Sequence, residues 1–383
     1  MTTRRERAFD QTRQFVGRVA APLLARHDGH LWLARRAVTT VMNHGANAGA
    51  PPAEVQAVAV ADAATMPGVR VLRPDPGYLV LDVDGGTVLG PWGHTAVAPG
   101  VVVHELSCAE KRTDKRRTRR ESDRGFGGPV VELAGTTANV AQNHFGNYSH
   151  WLLRGAVRCE LVRDTVGFAA CDHVLVAPLP QFAHEILDSY GVEPTQLVEM
   201  GTSPASYHCE RLVAPGEPQD GRHVPPWAIA RLRARFGAPP TPDAPRRVYL
   251  GRGDVDRRRV LNEDAVHRAL AQRGFVAVSM DGRSIREQAA VVAGAECVVA
   301  VHGAAMANLV FAPADATVVE LVYRNWPITL YRDLCRTIGQ RYHAVPGREP
   351  TLWRVFGTPA LIDADTVVDV DALLTALDAA GVR

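Results

Sequence analysis

Between Arg246 and Pro350 short apolar runs alternate with amphipathic ones, and no other feature of this 383-residue chain limits its fold as sharply. RVYL, FVAVSM, CVVAV, VVELV and YHAV read as strands, because they are short, rich in β-branched side chains and too apolar for a sheet with a wet face. Helices are expected from Asn262 to Gly274, Ser284 to Gly294, Met306 to Phe311 and Ile328 to Ile338. Asn262 stands where a cap is needed, Glu263 and Asp264 fill the first turn as the macrodipole favours, and Gly274 closes the helix. Strands joined by helices of this length form right-handed crossovers, so an α/β fold with a doubly wound parallel sheet is expected. Ligands of such sheets bind at the carboxyl ends of the strands.

The residues before this segment are organised differently. Gly237 to Pro245 holds four prolines in nine residues, which excludes regular structure and marks a boundary. The expected division is an N-terminal domain over 1–236, a linker over 237–245, a second domain over 246–350, and a tail ending in a helix over 351–383. From Val55 to Leu106 the text is β-like and punctuated by Pro and Gly. VVELAGTTANVA then reads as a strand, Tyr148 to Arg163 as a helix, HVLVAP as a buried strand, and Phe182 to Tyr190 and Trp227 to Phe236 as helices. Residues 1–26 read as a basic amphipathic helix, suited to packing on its own domain or to peripheral contact with an anionic membrane surface. Residues 111–128 read as a solvated basic loop, with eight basic and three acidic side chains between Lys111 and Arg124.

Composition excludes several classes. Forty-three Lys+Arg against 41 Asp+Glu leave a charge of +2, which argues against nucleic acid as a partner. Two of the basic residues are Lys, so Arg is the default cation here and a single Arg carries little weight. Six cysteines without a CxxC give neither a zinc site nor a disulfide framework, and a cytoplasmic location is expected. No run of 18 apolar residues exists to span a membrane. After Gly251 and Gly253 the dinucleotide fingerprint fails, and GxxxxGK[ST] does not occur. Four DxD pairs are close to chance for this Asp content, so no obligatory metal or cofactor is expected.

Three strand ends carry polar residues into what should be one crevice. Arg252 leaves the first strand, with Arg257, Arg258 and Arg259 ahead of a helix start; fork-shaped cations beside a helix N-terminus suit anionic oxygen. The third strand runs into His302-Gly303-Ala304-Ala305, where small residues let backbone N–H groups approach a ligand, with Asn308 one turn further on. Glu320 interrupts the otherwise apolar VVELV.

HFGNYSHWLL in the first half, YLGRGDVDRRRVLNEDAV after the linker and VVAVHGAAMANLVFAPADATVVELV together resemble glycosyltransferase family 61, over about Val130 to Val322. The resemblance implies a bacterial capsular or exopolysaccharide-type inverting transferase of GT-B-like architecture. In that architecture two Rossmann-like domains face a central cleft, here with an extra β-rich N-terminal region. It implies a nucleotide-sugar donor, with UDP the expected nucleotide, in the C-terminal domain and a glycan acceptor, for which a lipid-linked chain is suitable, in the N-terminal one. Arg252 with Arg258 or Arg259 would then meet the diphosphate, Asn262 and Glu263 would fix their loop, His302 to Ala305 and Asn308 would line the nucleotide pocket, and Glu320 would meet ribose or base. Which of Arg258 and Arg259 is the family's arginine stays open. Asn147, Trp151 and Arg154 fall on the acceptor side.

One departure bears on chemistry. The family commonly carries Asp soon after its HWLL motif, where this chain has Arg154, and a guanidinium cannot serve as a general base. His150 is the first candidate for that role and His144 the second, since imidazole titrates in the useful range. The alternative is a catalytically inactive nucleotide-sugar or glycan-binding module.

Overall fold

The computed structural model describes residues 56–73, 78–103, 106, 115–141, 146–216, 224–252, 258–323, 328–348 and 365–383, all within one compact unit, Pro52–Arg383. The helix expected over residues 1–26, and His144, lie outside the described residues.

The first half is built on one ten-stranded sheet: β1 (Gln56–Val58), β2 (Val69–Leu72), β3 (Val80–Asp84), β4 (Thr87–Gly90), β5 (His94–Ala98), β6 (Val101–Val103), β7 (Val130–Asn139), β8 (His173–Val176), β9 (Leu197–Glu199) and β10 (Ala205–Pro215). Its long strand β10 pairs in parallel with β7 and antiparallel with β3 and β4. The parallel run β10-β7-β8-β9 therefore continues into a largely antiparallel meander. The expected Rossmann-like domain and the β-rich region thus share a single sheet. Besides the short α1 (Val60–Ala63), its helices are α2 (Lys115–Phe126), α3 (Tyr148–His150), α4 (Ala156–Arg163), α5 (Gln181–Ser189) and α6 (Pro226–Phe236).

Two expectations for this half are corrected. The described part of the basic loop is helix α2, because the chain lays its small and polar side against the sheet: Ser122 is fully buried, Glu121 bonds His94 Nε2 at 2.9 Å, and Gly125 sits where a Cβ would come within 2.8 Å of the Leu89 Cβ. The single helix expected from Tyr148 to Arg163 is interrupted by a wide turn at Trp151–Gly155, where the backbone makes π-type bonds. Such turns re-aim side chains within an otherwise continuous helix, and this one carries Trp151 and Arg154.

The second sheet is wholly parallel: β11 (Arg247–Leu250), β12 (Val276–Val278), β13 (Cys297–Val301), β14 (Thr317–Val322) and β15 (Arg341–Pro346), in the order β12-β11-β13-β14-β15. It carries α7 (Glu263–Ala271), α8 (Ile285–Val292), a 3₁₀ helix at Ala304–Phe311, α9 (Leu330–Ile338) and α10 (Val370–Ala379). Along β13, Val298 and Ala300 face the core built with α8, α9 and the 3₁₀ helix. Val299 and Val301 face a second core with Leu270 of α7 and Leu373 and Leu377 of α10. Both faces are covered, as the apolar strands require.

The Pro-rich segment 237–245 is irregular but not detached: Arg286 of α8 donates to the Gly237 carbonyl, and Pro240 packs beside Gly294. Nor do the two halves keep separate cores. Trp151, Leu152 and Val157 share one cluster with Val298, Met306 and Leu309. Among the described residues no helix is long and apolar enough to cross a membrane. Trp151 is fully buried in that shared core, so Trp151→Ala should lower unfolding free energy by about 3–5 kcal/mol. Urea titrations followed by fluorescence and by far-UV circular dichroism should move together as one transition. Two separated transitions would contradict the common core.

Candidate functional site

In the parallel sheet the chain order reverses between β11 and β13, and the helices that follow these strands leave to opposite faces. Helices that diverge in this way leave a crevice beyond the carboxyl ends of the strands, and ligands of such sheets bind there. Leu250 pairs with Ala300, so Arg252 and His302, each two residues further on, emerge level with one another. The structure brings them into contact: Arg252 Nη1 donates to the His302 carbonyl at 3.3 Å. Gly303 is extended, so its backbone would accept any residue, but a Cβ there would overlap Arg252 Nη1. The missing side chain makes room for the guanidinium, a role that the reading of small residues at this turn did not anticipate. Gly251 is pinned likewise, with Glu263 Oε1 2.8 Å from where its Cβ would be; Tyr249 holds that carboxylate through a 3.0 Å hydrogen bond.

The two candidate arginines separate cleanly. Arg259 is tied to buried Asp365 through its backbone N–H at 2.8 Å and its guanidinium at 2.9 and 3.2 Å. This anchors the loop to the tail and removes Arg259 from the strand-end group. Arg258 stands in the left-handed region, φ 57°, which a non-glycine residue adopts at a cost of about 1 kcal/mol or more. Its charge, like that of Arg252, acts on the Tyr331 hydroxyl. Asn262 starts α7 but does not cap it through its side chain, as the sequence suggested; instead its amide clamps Val368 of the tail with bonds of 2.8 and 2.9 Å.

Two further expectations are corrected. Asn308 does not line an open pocket: it is fully buried, accepts from the Tyr148 hydroxyl at 2.7 Å, and donates to Gln288 and to the Ala305 carbonyl. Glu320 is not turned outward to a ribose or base. It lies inside β14 between Ala300 and Ala344, 2% exposed. One carboxylate oxygen takes a very short hydrogen bond from His302 Nδ1 and the other accepts from Tyr342 at 2.5 Å.

Tyr331 is the residue that sequence reasoning missed. It is buried on α9, its ring lies 5.1 Å from that of His302, and its hydroxyl donates to Ser149 Oγ at 3.2 Å. Burial raises the pKa of its hydroxyl well above the ordinary tyrosine value, so it stays a neutral donor even beside two arginines. Tyr148 and Ser149 thereby bind the start of α3 to the second half at two points, and His150 is the next residue. The NYSH text held this signal, but the sequence reading gave its weight to His150 and Trp151. Trp151 is fully buried beside the site and Asn147 caps α3, its Oδ1 accepting from Ser149 N at 2.9 Å; both are structural in these contacts. Arg154, half-buried, follows in the wide turn.

Residues 148–319 match the family model described as Glycosyltransferase 61. The match opens at Tyr148, takes in the strand-end arginines and the His302 turn, and closes one residue before Glu320. The chain is also similar to the beta-1,2-xylosyltransferase XAX1 of Oryza sativa subsp. japonica, 38% identical over 103 residues. That stretch is 26% of this chain, and the chain spans 18% of the relative's length. Together these similarities support the resemblance to glycosyltransferase family 61.

Two open pockets lie elsewhere, one of about 590 Å³ beside Glu132, His208 and Glu210, the other of about 700 Å³ beside Glu160, Arg231 and Arg235. Neither includes Arg252 or His302. Among the described residues no cluster of His, Cys, Asp and Glu is arranged to hold a metal ion. A methyl group at position 303 has to displace the Arg252 guanidinium but nothing of the core. Gly303→Ala should therefore leave the melting temperature in scanning calorimetry almost unchanged. A large drop would show that position 303 packs against the core and not only against the Arg252 guanidinium.

Proposed function

We propose that this chain is an inverting glycosyltransferase that moves a sugar from a nucleoside diphosphate, UDP in the first instance, to a hydroxyl of a glycan acceptor. The observation that carries the reading is the meeting of Arg252 with the His302-Gly303 turn at the reversal point of a parallel sheet. There the Arg252 guanidinium meets a small-residue turn, and the Arg258 charge acts on the same Tyr331 hydroxyl as that of Arg252; two such cations beside a strand-end turn suit a leaving diphosphate.

In the reaction the acceptor oxygen attacks the anomeric carbon from the face opposite the diphosphate. The bond to the diphosphate oxygen breaks with its electron pair, and the acceptor proton passes to a base. Arg252 and Arg258 would offset the charge that grows on the departing group, the kind of interaction that gains most in the transition state. His150 is the proposed base. It follows Ser149, which is already bonded to Tyr331 on the donor side, so the acceptor half reaches the site through this helix. The donor is proposed to bind without an obligatory metal, the cations being supplied by the protein. A role in bacterial capsular or exopolysaccharide assembly in the cytoplasm, on a lipid-linked acceptor, completes the proposal.

Arg154 favours a second reading, since the family's usual acid is replaced there by a cation in the wide turn. In that reading the protein binds a nucleotide sugar or a glycan without turnover. The two separate on one comparison, UDP affinity by calorimetry and transfer from UDP-xylose and UDP-N-acetylglucosamine to oligosaccharides. Arg252→Ala should lower kcat/KM at least about 100-fold while the circular dichroism spectrum is kept. Wild-type kinetics in that variant would remove the diphosphate assignment, and tight UDP binding without any transfer would establish the second reading.

A further inference from the structure

A second gathering of arginines lies away from the strand ends, in the open pocket of about 700 Å³ lined by residues of α4, α6 and the first turn of α8. One lining residue, Glu160, is 1% exposed, and a carboxylate so removed from water requires partners for both oxygens. One oxygen accepts from the Tyr190 hydroxyl at 2.8 Å and from Arg235 Nε at 2.9 Å. The other accepts from Arg163 Nη2 at 2.7 Å and from Arg231 Nη1 at 3.2 Å. Balancing one carboxylate takes one cation, and three attend this one. Asp164 shares two of them, Arg163 and Arg231. Arg286 of α8 joins from the second half and donates to the carbonyls of Arg235 and Gly237, at 2.8 and 3.4 Å. Glu185 acts on Arg286 through space, but both of its oxygens accept from the Ile285 N–H. Four guanidiniums therefore stand against two carboxylates in contact with them, and positive charge is in excess even with Glu185 counted.

The cations are also held in place. The Arg235 guanidinium lies over the Tyr190 ring, 3.8 Å from its centroid, and that of Arg231 lies over Trp227 at 5.7 Å. Planar forks fixed by stacking and by a buried carboxylate have little rotamer freedom left to lose when a ligand arrives. Arg163 Nη1, Arg231 Nη2 and Arg235 Nη2 carry none of the bonds to the two carboxylates. The three side chains keep contact with solvent, from 19 to 42% exposed, so a ligand can reach them.

We propose that this pocket is a second anion site, which takes a phosphate dianion, free or carried on an ester, through Arg163, Arg231, Arg235 and Arg286. Like charges gathered in this way repel one another, and a doubly charged oxyanion shared among their N–H groups offsets that repulsion with charge-assisted hydrogen bonds. The arginines come from α4 and α6 of the first half and from α8 of the second, so a bound phosphate also ties the halves together. A ligand held only by the folded state stabilises it by mass action. None of these residues belongs to the strand-end group, and the site stands whether or not the transferase reading does.

The test is titration calorimetry of the full chain with inorganic phosphate, ionic strength being held constant with chloride, on wild type, Arg252→Ala, Arg231→Gln and Arg286→Gln. Wild type should bind phosphate, and its melting temperature should rise with phosphate concentration. Arg231→Gln and Arg286→Gln should each weaken phosphate about tenfold and leave UDP affinity unchanged. Arg286→Gln takes no partner from a buried carboxylate, so its fold is kept and its result decides even if Arg231→Gln is unstable. Arg252→Ala should leave phosphate affinity at this pocket as it is. Glucose 1-phosphate binding more tightly than inorganic phosphate would identify the ligand as an ester, and equal affinities would identify the free ion. Phosphate affinity unmoved in Arg286→Gln, or a wild type that does not bind phosphate, would overturn the inference, whatever UDP does. A protein that binds phosphate here but neither binds UDP nor transfers sugar would overturn the transferase reading alone.

Discussion

The pairing of β11 with β13, two parallel strands whose following helices leave to opposite faces, is the constraint on which the site depends. Parallel pairing sets Leu250 beside Ala300, and from that register the residues that emerge from the sheet are fixed: a guanidinium from one strand and a histidine turn from the next. Had one strand slipped by a single residue, every apolar side chain of CVVAV would exchange cores. The two buried faces therefore hold the polar ends in place, and core packing and chemistry are settled together.

Around this junction the protein spends buried polar groups on joining its halves. Tyr148 with Asn308 and Ser149 with Tyr331 cross from the first half to the second inside a core that both sheets share. Such bonds add little net stability when made and cost about 1–3 kcal/mol each when one partner is lost, so they specify an arrangement more than they strengthen it. What they specify is the position of the start of α3, where His150 lies, relative to the His302 turn. Arg259 with Asp365 and Asn262 with Val368 do the same on the other flank, fastening the loop after β11 to the tail.

Much of this was legible in the sequence, for physical reasons. Strands buried on both faces must be apolar throughout, so CVVAV and VVELV announced themselves, and the crossover rule then gave the sheet. Arg252 and the His302 turn were legible because polar residues directly after such strands have few places to go. The rest depended on partners far apart in the chain. Asn308 and Asn262 have the right type and place for a pocket residue and a cap, yet each is engaged by a group 160 or 106 positions away. Glu320 looked outward because a carboxylate in an apolar run usually does; its two partners, on neighbouring strands, turn it inward. The basic run around Lys115 read as a loop because its charges were visible, whereas Ser122 and Gly125, which seat the helix on the sheet, carry no signal on their own.

The most direct measurement is a crystal structure of the protein soaked with UDP. The account predicts the pyrophosphate at the carboxyl ends of β11 and β13, with a phosphate oxygen within hydrogen-bond distance of the Arg252 guanidinium and of a backbone N–H between Gly303 and Ala305. Nucleotide seated instead in the arginine-lined pocket beside Glu160 and Arg231, with the strand-end crevice empty, would contradict it.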